Sequence, residues 1–444
     1  AGVRGAACTD PMAASHRIGL FSNQPNNTIF MHCKYPLITL LTTLSLWSCQ
    51  KDSLQPNVPP SVATPKLEVL WQQPLEPDTG RYTGNAQFVR NGEVVYTINF
   101  TSPSGTVNKR NGNSGALIWS FGAFFKPTNF SSSRQVFDAQ GYTLMNNWHT
   151  GYCLDYSGNL IWGSYIGDKG GGDLFAQLIA DYLYTIHFEG TPPGITCSSI
   201  ARTHYLSGQW DTLVTIPQTD SRFGQAIFPP TLWVNPQGDS VLILRINELS
   251  NVLGLRNRFN IRAWNMRTKQ FEWELKDFIP EGNPGVYQPV VSDNRLYING
   301  PNAVYCISLE TGSILWEKPF PAIQLTSIVE HKNSIIFCGT FEEGMWSINK
   351  TDGSLNWHNV EVRGTAFQMF YHDGVVYHTS TGTGRLYAVD AETGATIWKE
   401  SSPNRKFAKT DDAGFDFQGI AIDPINRVLF TFDHYYLMCI RLPE

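Results

Sequence analysis

Few residues in this 444-residue chain are of the types that do chemistry, and fewer are spaced to do it. Eight cysteines are present, yet no two are adjacent and none form C-x-x-C. No Cys/His cluster has zinc spacing, so a tetrahedral metal centre lacks a ligand set. Cys153, Cys306 and Cys439 fall at one repeat position, which holds Ala388 and Ser347 in other copies. Together with Cys197 and Cys338 they read as small buried strand residues. Asp168 and Asp173 flank "KGGG", and Asp411-Asp412 form a second acidic pair; both read as solvated loop carboxylates. His149, His187, His378 and His434 recur near the ends of corresponding strands and read as hydrogen-bonded strand ends rather than ligands. The motifs G-x-S-x-G, H-E-x-x-H, G-x-G-x-x-G, C-x-x-C-H and the P-loop are all missing.

One polar residue does recur in phase. Gln87, Gln135, Gln177, Gln225, Gln288, Gln368 and Gln418 each open a strand-like segment. Counted back from Tyr96, Leu144, Tyr297 and Tyr377, the Gln is nine residues earlier each time. One unit substitutes Thr326 or Ser327. An aromatic residue often precedes the Gln: Phe175, Phe223, Tyr287, Phe367 and Phe417. A Gln amide both donates and accepts. If the segments share one channel mouth, they make a polar ring rimmed by aromatics. Such a ring either bonds neighbouring segments together or takes a neutral polar ligand such as a sugar or peptide.

The elements that must position these residues are legible in a second repeat. Trp71, Trp119, Trp162, Trp210, Trp273, Trp316, Trp357 and Trp398 mostly lie 41–48 residues apart, with a longer interval from Trp210 to Trp273. Gly115, Gly158, Gly312, Gly353 and Gly394 each stand four residues before a Trp. Glycine there suits a tight turn with positive φ between two antiparallel strands. An alternating apolar segment follows a turn in each unit, as in "GEVVYTINF", "NRLYING" and "GVVYHTST". Four short strands per repeat, with no helical period, specify propeller blades that must stack to bury a core. The fold expected is all-β: an eight-bladed β-propeller of four-stranded antiparallel blades. Its first strand, 67–73, would complete the last blade and close the ring.

The phrase Ala388-x-Asp390-x-x-Thr393-Gly394-x-x-x-Trp398 resembles the repeat of pyrroloquinoline-quinone (PQQ)-type propellers, in which the Trp docks between blades. The resemblance covers roughly 67–444, is sharpest in blades 5 to 7 and weakest around 200–275. It implies that the eight Trp residues are blade-docking and structural. It also raises PQQ and calcium as cofactors of a dehydrogenase. Members of that enzyme group resemble one another in an adjacent Cys-Cys pair, which this chain lacks. The expectation is therefore no cofactor, no metal and no catalytic residue.

The first segment reads as an address. Residues 1–30 have no periodic pattern and read as a non-native upstream extension. Residues 31–48 carry Lys34, an apolar run and a small residue at the cut, the pattern of a signal peptide. Leu46-Trp47-Ser48-Cys49 resembles a bacterial lipobox, implying lipidation of Cys49, and "CQKDS" resembles lipoproteins of the Bacteroidetes type. Residues 49–66 read as lipidated Cys and flexible tether, and 67–444 as the propeller. Aromatics at 13% and charged residues at 16% suit sheets, and a net charge of −5 gives no basic footprint for nucleic acid.

Three functions remain in play. A lipid-anchored eight-bladed propeller of this repeat resembles the BamB-like family of the outer-membrane barrel-assembly machinery. That likeness implies a monomeric, non-catalytic scaffold on the outer membrane, facing periplasm or cell surface, with a protein partner. The second reading is a solute- or glycan-binding lipoprotein using the channel mouth. The third is a quinone-dependent dehydrogenase. The segment "NELSNVLGLRNRFN", in the divergent unit 213–275, is either a partner-facing arm or a plain exposed hairpin.

Overall fold

The computed structural model of the protein describes residues 67–75, 83–99, 106–122, 135–147, 150–165, 176–189, 197–218, 220–279, 289–321, 327–339, 343–363, 368–380, 383–405, 413–415 and 419–443. Cys8, Cys33, Cys49, the leader and the tether lie outside these residues. So do His149, Asp168, Asp173, Asp411 and Asp412.

Eight antiparallel sheets make an eight-bladed propeller. Blade 7 shows the plan. Its inner strand Phe370–His372 pairs with Val375–Thr379, then Arg385–Asp390, then the outer strand Thr396–Ser401. Asp373 and Gly374, both at positive φ, form the two-residue inner turn. Blade 4 departs from the plan with five strands. Phe223–Ile227 and Thr231–Val234 both pair with the long strand Ser240–Ser250. Pro229-Pro230 lies between them, and a residue without an N–H cannot continue the ladder. The ring closes where Val69–Pro74 pairs with Tyr436–Arg441 as the outer strand of blade 8.

The third and outer strands of all eight blades share one irregularity, a register slip of one residue. In blade 3 it lies two residues further from the turn than in the other seven, where it lies beside a fixed position. Trp71, Trp119, Trp162, Trp273, Trp316, Trp357 and Trp398 hold that position. Across the ladder stand Cys439, Cys153, Cys306, Ala263, Ser347 and Ala388, with Lys109 in blade 1. A small residue there leaves room for the indole. This accounts for three of the cysteines, which are buried free thiols. Burial pushes Cys153 and Cys306 up to about 11 and Cys439 up to about 12, so none is a ready nucleophile.

Each indole lies on the third-to-outer turn of the next blade. Its Nε1–H donates to a carbonyl there: Trp71 to Gly112 at 2.7 Å, Trp119 to Tyr156 at 3.1 Å and Trp162 to Tyr205 at 2.7 Å. Trp273 donates to Leu309 at 2.6 Å, Trp316 to Lys350 at 3.1 Å and Trp357 to Ala391 at 3.2 Å. Trp398 faces blade 8, whose third and outer strands are not joined by a hairpin. It packs against Leu67, Val69 and Leu442 and is 2% exposed.

Trp210 requires a correction. In blade 3, Trp210 stands two residues after the turn Gly208, where the docked Trp residues of five other blades stand four after theirs, so it pairs with Thr203. The register slip falls further along, with Val214 beside it opposite Ile200. Trp210 is 52% exposed and welds nothing. The turn that would receive it carries Lys269, at φ 56, where the other turns carry Gly.

That exchange separates two reasons for glycine. Lys269 shows that positive φ alone is tolerated. A Cβ on Gly312 would lie 2.6 Å from Trp273, and one on Gly394 would lie 2.5 Å from Trp357. Close approach of the indole is the stronger demand. Gly208, only two residues before Trp210, obeys it too: its Cβ would lie 2.8 Å from Trp162. Gly312→Ala is therefore expected to cost about 3 kcal/mol through overpacking and strain, and Lys269→Ala less than about 1 kcal/mol. Thermal unfolding of the two variants checks this.

Candidate functional site

The antiparallel order puts inner-strand starts and second-strand ends on one face of the ring, and the tight turns on the other. The phased Gln residues mark the first of these faces. Their fates differ. Gln87 accepts a hydrogen bond at its Oε1 from the Val136 N–H of blade 2, at 3.3 Å, and its Nε2 donates to Thr97 Oγ1 at 3.4 Å. Ser327, the substitute in blade 6, does the same job: its Oγ accepts from the Met369 N–H of blade 7 at 2.7 Å. These two positions tie inner strands together. Gln177 and Gln225 each bury an Oε1 with no partner among the described residues, and Gln225 is 3% exposed. Gln368 is exposed. The Gln135 side chain, Gln288 and Gln418 lie outside the described residues, as do Phe175, Tyr287, Phe367 and Phe417. No continuous ring is thus assembled from the described residues.

The same face carries the blade 4 arm. Strands Ser240–Ser250 and Arg258–Asn265 run past the ends of their neighbours and meet in a loop at 251–257. Asn257 Oδ1 accepts from the Ser250 N–H at 2.9 Å, and the Asn251 N–H donates to the Arg222 carbonyl at 2.8 Å. Gly254, at φ 82, turns the tip. Arg256 pairs with Asp277 at 2.7 Å, and Arg258 lies over the Phe223 ring at 4.2 Å and near Asp220 and Glu248. The Arg222 guanidinium, with Arg258 beyond it, holds the Asp220 carboxyl down at about 2. Arg245 roots the hairpin; it is fully buried, 5.0 Å from the Phe228 ring, and burial pushes its guanidinium down to about 9.

These bonds leave two side chains without cover. Val252 is about half exposed and Leu253 is fully exposed. The cationic look of the segment is therefore misleading. Its arginines are matched by acids, and what the arm offers is an apolar tip on a braced stem. The pattern of the sequence marks this stretch as divergent but does not show that Leu253 sits at the apex.

Among the described residues no group of three or more His, Cys, Asp and Glu could hold a metal ion. His378 is fully buried; its ring stacks on Tyr387 with centroids 5.0 Å apart, and its Nδ1 lies 3.3 Å from the Thr379 carbonyl. His187 is partly buried, and burial lowers its pKa also. His434 sits buried in the closing blade.

Comparison with known proteins supports the repeat assignment. Residues 257–429 match the family described as outer membrane protein assembly factor BamB. The BamB structure from Moraxella catarrhalis aligns over 85% of this chain and 100% of its own, with TM-score 0.53 and 13% identity. The chain is an eight-bladed propeller, and its residues 257–429 resemble the BamB family. The quinohemoprotein alcohol dehydrogenase ADHIIG from Pseudomonas putida HK5 aligns as well, over 85% of this chain and 76% of its own, with TM-score 0.56 and 11% identity. So does the computationally designed Ika8 protein, over 82% and 97%, with TM-score 0.55 and 11% identity. At such identities the likeness is one of fold. No curated protein matches the chain.

The ring also carries a pH signature. Burial lowers His378 from its ordinary 6.5 to about 4. The unfolded chain then binds a proton between those values that the folded ring refuses. Stability is full above about pH 6.5 and is lost as pH falls toward 4, by on the order of 3 kcal/mol. In thermal unfolding across this window, His378→Gln should show a flatter pH dependence than the parent.

Proposed function

We propose that this BamB-like propeller is a non-catalytic, lipid-anchored scaffold of the cell envelope that binds a protein partner during outer-membrane protein assembly. The observation that carries the reading is the blade 4 arm. The braced hairpin exposes Leu253 and about half of Val252 among paired charges, and apolar surface rimmed by polar residues is a mark of interaction sites. The match of 257–429 to the BamB family supports the assembly context. The leader and the lipobox-like Leu46-Trp47-Ser48-Cys49 support an acylated Cys49 and an outer-membrane location.

Binding of a neutral solute at the channel mouth is the second reading. The unpartnered Oε1 atoms of Gln177 and Gln225 favour it. The use of Gln87 and Ser327 in blade-to-blade bonds weakens it. A quinone-dependent reaction draws support only from the shared fold of the dehydrogenase, and the adjacent Cys-Cys pair is missing from the sequence.

A photo-crosslinker placed at residue 253 in the acylated, membrane-bound protein should capture a barrel-assembly subunit. One placed at residue 315, on the exposed rim of blade 5, should not. Leu253→Asp should reduce recovery of that subunit about tenfold or more, as for a central hot spot. Crosslinking that is equal at the two positions, or insensitive to Leu253→Asp, would refute the arm as the binding element. Failure to capture any subunit would shift the reading to the channel mouth.

A further inference from the structure

Seven seams of the ring hold an indole at the register position; the seam between blades 3 and 4 holds Val214. We propose that the ring opens first at this seam.

Four observations point there. Val214 provides no N–H for the carbonyl of the next turn, so the directional bond made by six other seams is missing. Arg202, paired with Asp211, stands where most blades place Cys, Ala or Ser, and Ile200 stands opposite Val214, so the space for an indole is filled. Lys269 replaces the turn glycine that an indole would demand. The inner tie is missing as well. Where Gln87 and Ser327 accept an N–H from the next blade, Gln177 and Gln225 accept none among the described residues. Both face this seam, because Ile179 and Ile227, two residues along the same strands, belong to its apolar cluster. The cross-seam bond from Ser198 Oγ to the Gln225 carbonyl is long, at 3.4 Å.

What joins blades 3 and 4 is mainly apolar contact among Ile186, Ile200, Ile216, Leu242, Leu244 and Trp264. Such contact has no preferred direction and yields to sliding more readily than a weld. The two buried carbonyls tilt the balance further. Each is held from water without a partner, a cost of about 1–3 kcal/mol that ends when the seam hydrates. Opening at six other seams breaks an indole bond; opening here breaks none of that kind and lets the two amide oxygens find partners. Blade 4 carries the arm, so the motion would reposition Leu253 against blade 3.

Hydrogen exchange of the full-length protein, read by mass spectrometry, tests this. Inner strands are the reporters, since they carry the positions of the missing ties and each is an edge of its sheet, so like is compared with like. The inner strands at 177–179 and 223–227 should exchange about tenfold faster than those at 135–139, 328–331 and 370–372, as expected for a local opening of lower free energy. The triple substitution Ile200→Ala, Val214→Trp, Lys269→Gly should remove that difference. Trp316→Val, made separately, should create a second fast seam between blades 5 and 6. Equal protection of the inner strands in the parent protein would overturn the proposal, as would fastest exchange at the closing seam between blades 7 and 8.

Discussion

The structure depends on one contact repeated around a circle: an indole lying on a glycine turn and donating to a carbonyl beside it. A four-stranded blade has two apolar faces and no means of covering either alone. Stacking supplies the cover but not the angle, because apolar faces slide. The indole supplies the angle. It spans the seam near the rim, buries its ring and fixes its edge by a hydrogen bond, as Trp273 does at the Leu309 carbonyl. Other features follow from it. Gly312 is glycine because Trp273 leaves no space for a Cβ. Cys306 is small because Trp316 stands across the ladder. The register slip beside every docking position places the side chain where the next turn can receive it.

A repeat this strict makes its exception informative. Between blades 3 and 4 the indole, the small residue and the glycine are all replaced. Replacing one partner alone would leave a clash or a hole, so the three changes are mutually consistent. Blade 4 next to it has a broken inner strand, a long second strand and an arm whose arginines are each matched by an acid. The departures from the repeat cluster in one sector. The remaining blades maintain the ring, and this sector is where the chain is free to do something else.

Much of this was legible beforehand, and the misreadings have definite causes. The blade count and the closing strand followed from the spacing of Trp and the alternation of the second strands. Trp210 was misassigned because spacing counts residues, whereas docking depends on register. A Trp two residues after its turn glycine, not four, keeps a plausible interval from its neighbours but lies off the seam. The phased Gln positions were visible, but not that Gln87 and Ser327 would spend their acceptors on neighbouring N–H groups while Gln177 and Gln225 would not. That outcome depends on an atom of the next blade, about forty residues away. The arm was visible only as divergence, since the matching of Arg256 with Asp277 crosses between strands.

The sequence by itself determined the all-β architecture, the repeat, its eight units and the closure. These depend on local periodicity and on residues recurring at nearly constant intervals, which a linear reading can follow. Tertiary structure decided which Trp welds and which stays half exposed, why the cysteines stand where they do, and which seam is left without an indole. It also decided that Leu253 crowns the arm. Each of these depends on one atom's distance from another in a different blade, and such distances exist only once the ring has closed.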